Sequence, residues 1–139
     1  MIRRFARLIG ATMILFMVGA CSEKRGPTVN IVVPTGFRGF VTIAEDRSGI
    51  EVPLQADEYS YSIETNGILK VRTLEGFLRP HYTDAIFADG SRLAVAAEGA
   101  TDQVALYELG ASSSRKIFLF VGTRQEKDQF MKTSYHLIR

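Results

Sequence analysis

The sequence predicts a mainly β domain, an antiparallel β-sandwich of about seven to eight short strands with one C-terminal α-helix. Three features predict it. Short apolar runs are separated by Gly, Pro, Asn and Asp. Two of the turn signals between runs, Asn66-Gly67 and Asp89-Gly90, are hairpin dipeptides. Near residue 123 the period-2 pattern ends and a polar, capped segment begins.

Residues 28–33 (TVNIVV) are rich in β-branched side chains and stop at Pro34-Thr35-Gly36. Residues 40–45 (FVTIAE) alternate, and Asp46-Arg47-Ser48-Gly49 then predicts a turn. Residues 50–54 predict a short strand, which Pro53 places at an edge. In residues 58–63, Tyr59, Tyr61 and Ile63 share one face and Ser60 and Ser62 the other. Asn66-Gly67 should fold this run back on residues 68–73 as a type I′ hairpin. Residues 82–87 and 92–97 flank Asp89-Gly90, a second predicted hairpin. Residues 104–109 are assigned to a strand, and Ser112-Ser113-Ser114 to a flexible loop. Residues 117–121 (IFLFV) are continuously apolar, as in a central strand covered on both faces. Thr123 with Glu126 is a capping box, followed by one amphipathic helix carrying Phe130, Met131 and Tyr135.

The first twenty residues have a different character. Arg3, Arg4 and Arg7 precede an apolar run from Leu8 to Val18, and small residues lead to Cys21. That is the layout of a secretory signal peptide, too short to span a hydrocarbon core comfortably. A helix over residues 3–20 is expected in the precursor. Val18-Gly19-Ala20-Cys21 resembles the bacterial lipobox. The resemblance implies cleavage between Ala20 and Cys21, diacylglycerol on the Cys21 sulfur and an acylated new N-terminus, palmitate being a usual acyl group. Cys21 is the only cysteine, so no intramolecular disulfide can form, and lipidation accounts for a lone thiol in an oxidising compartment. The expected organisation is a signal peptide at 1–20, a tether at 21–27 and a β-sandwich domain at 28–139. Ser22, where aspartate would resemble an inner-membrane retention signal, implies the outer membrane's periplasmic face in a Gram-negative host. In a Gram-positive host the address is the outer leaflet of the plasma membrane.

Cleavage changes the charge. The whole chain has 17 Lys and Arg against 15 Asp and Glu, but three arginines lie in the signal, so the mature chain carries 14 against 15. The basic balance is no argument for nucleic acid.

Residues 33–43 (VPTGFRGFVTI) resemble the opening motif of a family of small, uncharacterised bacterial lipoproteins. There a P-x-G-(F/Y)-x-G-x-V step joins the first two strands of a transthyretin-like β-sandwich. Asn66-Gly67, Asp89-Gly90 and Phe120-Val121-Gly122-Thr123 are similar too, so the resemblance covers most of residues 28–130. It implies a fold and a location, and no catalytic residues. Within the step, Phe37 and Phe40 are expected to cap the end of the core, with exposed contact as the alternative for Phe37.

The chemistry the sequence offers is sparse. His81 and His136 are the only histidines, and no set of ligands has the spacing of a zinc or EF-hand site. No nucleophile elbow or phosphate-binding loop is present. The sequence therefore implies no cofactor, no metal and no catalytic set. Tyr82, Arg79, Arg92 and Phe37 are the candidate contact residues, with Arg72 beside them in a candidate basic patch. The expected role is a non-enzymatic module bound to the membrane through Cys21, with envelope proteins or cell-wall components as partners. Two alternatives stand beside it: a small envelope hydrolase or metal-dependent enzyme using His81 and Asp84, and a carrier holding an apolar ligand between the sheets.

Overall fold

A computed structural model describes residues 26–96, 102–112 and 114–138. The predicted signal peptide, its cleavage at Ala20, the Cys21 lipidation site and the expected helix over residues 3–20 lie outside the described residues.

The described chain is mainly β, with eight strands in two sheets and one C-terminal helix. The strands are β1 (Thr28–Val33), β2 (Gly39–Ile50), β3 (Glu58–Ser62), β4 (Ile68–Val71), β5 (Tyr82–Phe87), β6 (Ala94–Val95), β7 (Ala105–Ser112) and β8 (Lys116–Gly122). Helix α1 spans Arg124–Ser134. The first sheet has the order β3-β1-β5, the second β4-β2-β8-β7-β6.

The expectation of an antiparallel arrangement is overturned. β1 pairs in parallel with both β3 and β5, β2 with β4 and β6 with β7. Only β2–β8 and β7–β8 are antiparallel ladders. The cause is an alternation between sheets. The first six strands visit the two sheets in turn, so β1 pairs with β3 and β5, and β2 with β4, strands an even number apart that run the same way, while the short β6 lies parallel to the next strand, β7.

Asn66-Gly67 shows how this misleads a local reading. The turn is Glu64 to Gly67, closed by the Gly67 N–H donating to the Glu64 carbonyl at 2.9 Å. Gly67 has φ of +77°, but Asn66 is not in the left-handed region that a type I′ turn demands of both residues. The Asn66 carboxamide instead accepts from the Ile68 N–H at 3.0 Å. The turn therefore carries the chain across to the other sheet and makes no hairpin. Its glycine is needed for space as well, since a Cβ at Gly67 would lie 2.5 Å from the Phe40 carbonyl oxygen and 3.2 Å from Phe37 Cζ.

Asp46-Arg47-Ser48-Gly49 is no strand-ending turn but a bulge inside β2. Both Glu45 and Ile50 pair with Val71, so the four residues between them are looped out. The Asp46 carboxylate accepts from the Ser48 N–H and hydroxyl, at 2.8 and 2.6 Å, which gives turn chemistry without a turn. Residues 51–54 form no strand as a result. The Asp89-Gly90 turn does fold the chain back, with Phe87 N–H on the Ser91 carbonyl and Leu93 N–H on Ala85. The returning strand is only β6, and it leaves for the second sheet. Ser112 and Ser114, expected in a flexible loop, instead belong to the tight connection of the β7–β8 hairpin, where Arg115 donates its N–H to Ser112 O at 3.1 Å and takes φ of +58°.

The P-T-G-F-R-G step joins β1 to β2, and it too crosses between sheets. Phe37 N–H bonds the Pro34 carbonyl at 2.9 Å with Gly36 at φ +75°, as a type II turn requires. Phe37 is half-buried against the main core, whereas Phe40 faces a second cluster.

One core cluster draws side chains from both sheets: Val29 and Ile31 of β1, Tyr59 and Tyr61 of β3, Val41 of β2 and Leu119 of β8 among them. β8 is apolar on both faces because both are covered. Leu119 and Val121 enter the main core. Phe120 meets Phe130 of α1 at 5.3 Å between ring centroids, Phe40 meets Phe130 at 4.9 Å, and Phe118 stacks on Phe40 at 5.6 Å. The predicted capping box is present in both halves. Glu126 also takes two 2.8 Å hydrogen bonds from Arg38, tying α1 to the β1–β2 step.

Candidate functional site

Alternation along the first sheet dictates what its outer face displays. Val29, Ile31 and Val33 point into the core, so Thr28, Asn30 and Val32 point out. Tyr59 and Tyr61 go in, leaving Glu58, Ser60 and Ser62 outside. Ala85 goes in, leaving Tyr82, Asp84 and Ile86. Parallel register sets these in rows across the three strands: Glu58, Thr28, Tyr82; then Ser60, Asn30, Asp84; then Ser62, Val32, Ile86. All nine residues are exposed or half-buried, and α1 lies against the other sheet.

Asn30 sits at the centre. Its Nδ2 donates to Glu58 Oε1 at 3.2 Å, while its Oδ1 is shielded from solvent with no hydrogen-bond partner among the described residues. A shielded acceptor without a donor costs about 1–3 kcal/mol, so this one is a place where an incoming N–H or O–H would be favoured. Beside β3, residues 50–56 fold over Glu58, Ser60 and Ser62 and enclose an open cleft of about 400 Å³. Its wall includes a two-residue turn in which Ala56 and Asp57 both have positive φ, +48° and +65°. Gln55 and Glu58 exchange backbone bonds of 3.0 and 2.9 Å across it, and Thr28 N–H donates to Asp57 O at 2.9 Å. Here is the type I′ geometry that Asn66-Gly67 promised, at a place with neither Asn nor Gly. No sequence signal marked it.

On the opposite edge, Arg92 with Thr83, Asp84 and residues 93–95 lines a second open cleft of about 460 Å³. Arg92 is exposed and forms no ion pair among the described residues, and Tyr82 is 55% exposed nearby on the same strand as Asp84. Arg79 pairs with Glu75, and Arg72 with Glu51. Two of the three arginines expected to make a basic patch are thus already neutralised.

His81 belongs elsewhere. Its ring packs edge-on to Phe77 at 5.6 Å, and Nδ1 lies 2.8 Å from the Arg79 carbonyl. It lines a cleft of about 200 Å³ with Phe77, Glu108 and Phe118. Asp84 does not line that cleft, and Ser112 and Ser114 bond each other, Oγ to Oγ, at 2.7 Å. Among the described residues no group of three or more His, Cys, Asp or Glu side chains could hold a metal ion. Among the described residues, too, no helix is long and apolar enough to cross a membrane.

Groups with displaced titration are not in these clefts. Burial pushes the Tyr61 phenol up to about 12. The Thr123 N–H, helped by Arg38, holds the Glu126 carboxylate below its ordinary range. Both shifts belong to packing and capping.

No family model and no curated protein match the chain. A solved structure of a candidate lipoprotein from Bacillus anthracis is similar over 77% of each chain, with 13% identity and a TM-score of 0.48.

Proposed function

We propose that this chain is an exported lipoprotein, cut before Cys21 and held on a membrane by lipid on that cysteine, whose folded part is a non-enzymatic binding module. The observation that carries the anchor is Val18-Gly19-Ala20-Cys21 closing an apolar run behind three arginines, with the only cysteine at its end. Two or more acyl chains anchor stably where one does not. Ser22 favours the outer membrane's periplasmic face in a Gram-negative host. The two sheets around one core are read as a β-sandwich of the kind the P-T-G-F-R-G step resembles.

The binding surface in this reading is the uncovered face of the first sheet. It offers an amide oxygen, hydroxyls and two carboxylates, a set that suits a donor-rich surface such as cell-wall glycan or the backbone of an envelope protein. The enzymatic alternative draws little support, because His81 and Asp84 line different clefts. The carrier alternative draws none from the clefts described here, which open to solvent.

Membrane fractionation tests the anchor. The wild-type protein should pellet with membranes, and Cys21→Ser should move to the soluble or unprocessed fraction. Identical fractionation of the two would end the proposal.

A further inference from the structure

The strands run between two distinct ends of the domain. At one end lie the crossings at residues 34–38 and 63–67 and the 88–91 turn, joined by Ile63 N–H on Val32 O, Ala88 N–H on Val33 O and Asp89 N–H on Thr35 Oγ1. At the other lie the starts of β1, β3 and β5 and the end of β2. The chain enters the fold at this second end. Tyr82 N–H bonds the Pro27 carbonyl at 3.1 Å, and Gly26 packs so closely on Pro80 that a Cβ there would meet its carbonyl oxygen at 2.1 Å.

Exposed apolar side chains are shared unequally between the ends. Of the seven exposed large apolar side chains among the described residues, Leu78 (68% exposed), Tyr82 (55%), Ile50 (54%) and Leu54 (46%) are at the entry end, Ile68 is at the far end, and Tyr135 and Leu137 lie in the C-terminal turn that follows α1. Of the cations at the entry end, arginines 72, 79 and 115 are each paired with a glutamate, while Arg47 and Lys116 are exposed and form no ion pair among the described residues. Four residues separate Cys21 from Gly26. Even extended, that stretch reaches only about 20 Å.

The geometry points to a lipid-facing end. Resting on the reading of Cys21 as the anchor, the inference is that Leu78, Tyr82, Ile50 and Leu54 seat on the bilayer surface that holds the lipid. The domain then stands with its strands upright and the polar face of the first sheet turned sideways. Aliphatic side chains and tyrosine are the residues that favour the headgroup boundary, and a short tether prevents the end from leaving it.

The chain has no tryptophan, so single replacements report position. Lipidated Leu78→Trp, Tyr82→Trp and, as the far-end control, Ile68→Trp are placed in vesicles of phosphatidylcholine and phosphatidylglycerol with brominated acyl chains. The first two should shift to the blue and lose about half their emission, as indole does at the acyl boundary. The control should do neither. Equal quenching at all three positions, or none at 78 and 82, overturns the orientation. The same proteins coupled through the Cys21 thiol to a maleimide phospholipid repeat the test without cellular acylation. Lack of native lipid on Cys21 counts against the anchor, and the coupled proteins then decide the orientation: quenching at 78 and 82 without quenching at 68 supports it, and any other pattern overturns it.

Discussion

The two sheets bury one face each in the same core, but their other faces differ. On the second sheet Phe120 and Phe40 meet Phe130 of α1, which covers them, and Phe118 stacks on Phe40. On the first, Asn30, Ser60 and Asp84 lie in a row with no helix above them among the described residues. The sequence mirrors this. β8 is apolar at five successive positions, 117–121, because both its sides are dry, whereas β1 and β3 alternate because one side is wet. Coverage, more than strand direction, is what the periodicity reports.

The largest effect that separates the two sheets should come from truncating the shared core. Leu119→Ala should cost about 3 kcal/mol in urea unfolding, while Ser60→Ala on the open face should stay within about 0.5 kcal/mol. Similar costs at both positions would break the contrast. Gly67→Ala should cost about 2 kcal/mol, since it adds left-handed strain to a clash with the Phe40 carbonyl. Thr123→Ala removes the cap of the covering helix and should cost about 1 kcal/mol, measured the same way.

Two pH limbs sharpen the comparison. Tyr61 is protonated more tightly folded than unfolded, so its contribution is whole below pH 10 and declines as pH rises from there toward 12. Tyr61→Phe should flatten that alkaline limb. Glu126 has the opposite sign. Its carboxylate is lowered by the Thr123 N–H and Arg38, so its contribution is present above the ordinary glutamate value and is lost as pH falls through the lowered one. Glu126→Gln should flatten the acid limb. An effect of opposite sign is expected at the centre of the open face. Asn30→Val removes the unpartnered acceptor and should raise stability by up to about 1 kcal/mol while weakening any partner held there.

Much of the fold was legible because some signals are local and unambiguous. The Thr123–Glu126 box needs only four residues and appears as expected. The central strand 117–121 and the inward Tyr59 and Tyr61 follow from burial alone. Direction was not legible. Gly67 and Asp46 satisfy turn chemistry whether the chain returns to its own sheet, crosses to the other or bulges within a strand, and only long-range packing decides. The candidate face was hidden for the same reason. Asn30, Ser60 and Asp84 are far apart in sequence, and parallel register alone makes them neighbours. Of its nine residues, Tyr82 and Asp84 were singled out from the sequence, Tyr82 as a contact and Asp84 for a different role beside His81.

Intact-mass analysis of the protein purified from membranes tests the central claim most directly. The account predicts a chain beginning at Cys21, its mass raised by diacylglycerol on the sulfur and an acyl group on the nitrogen. A chain still carrying Met1, or a free thiol at Cys21, would contradict it.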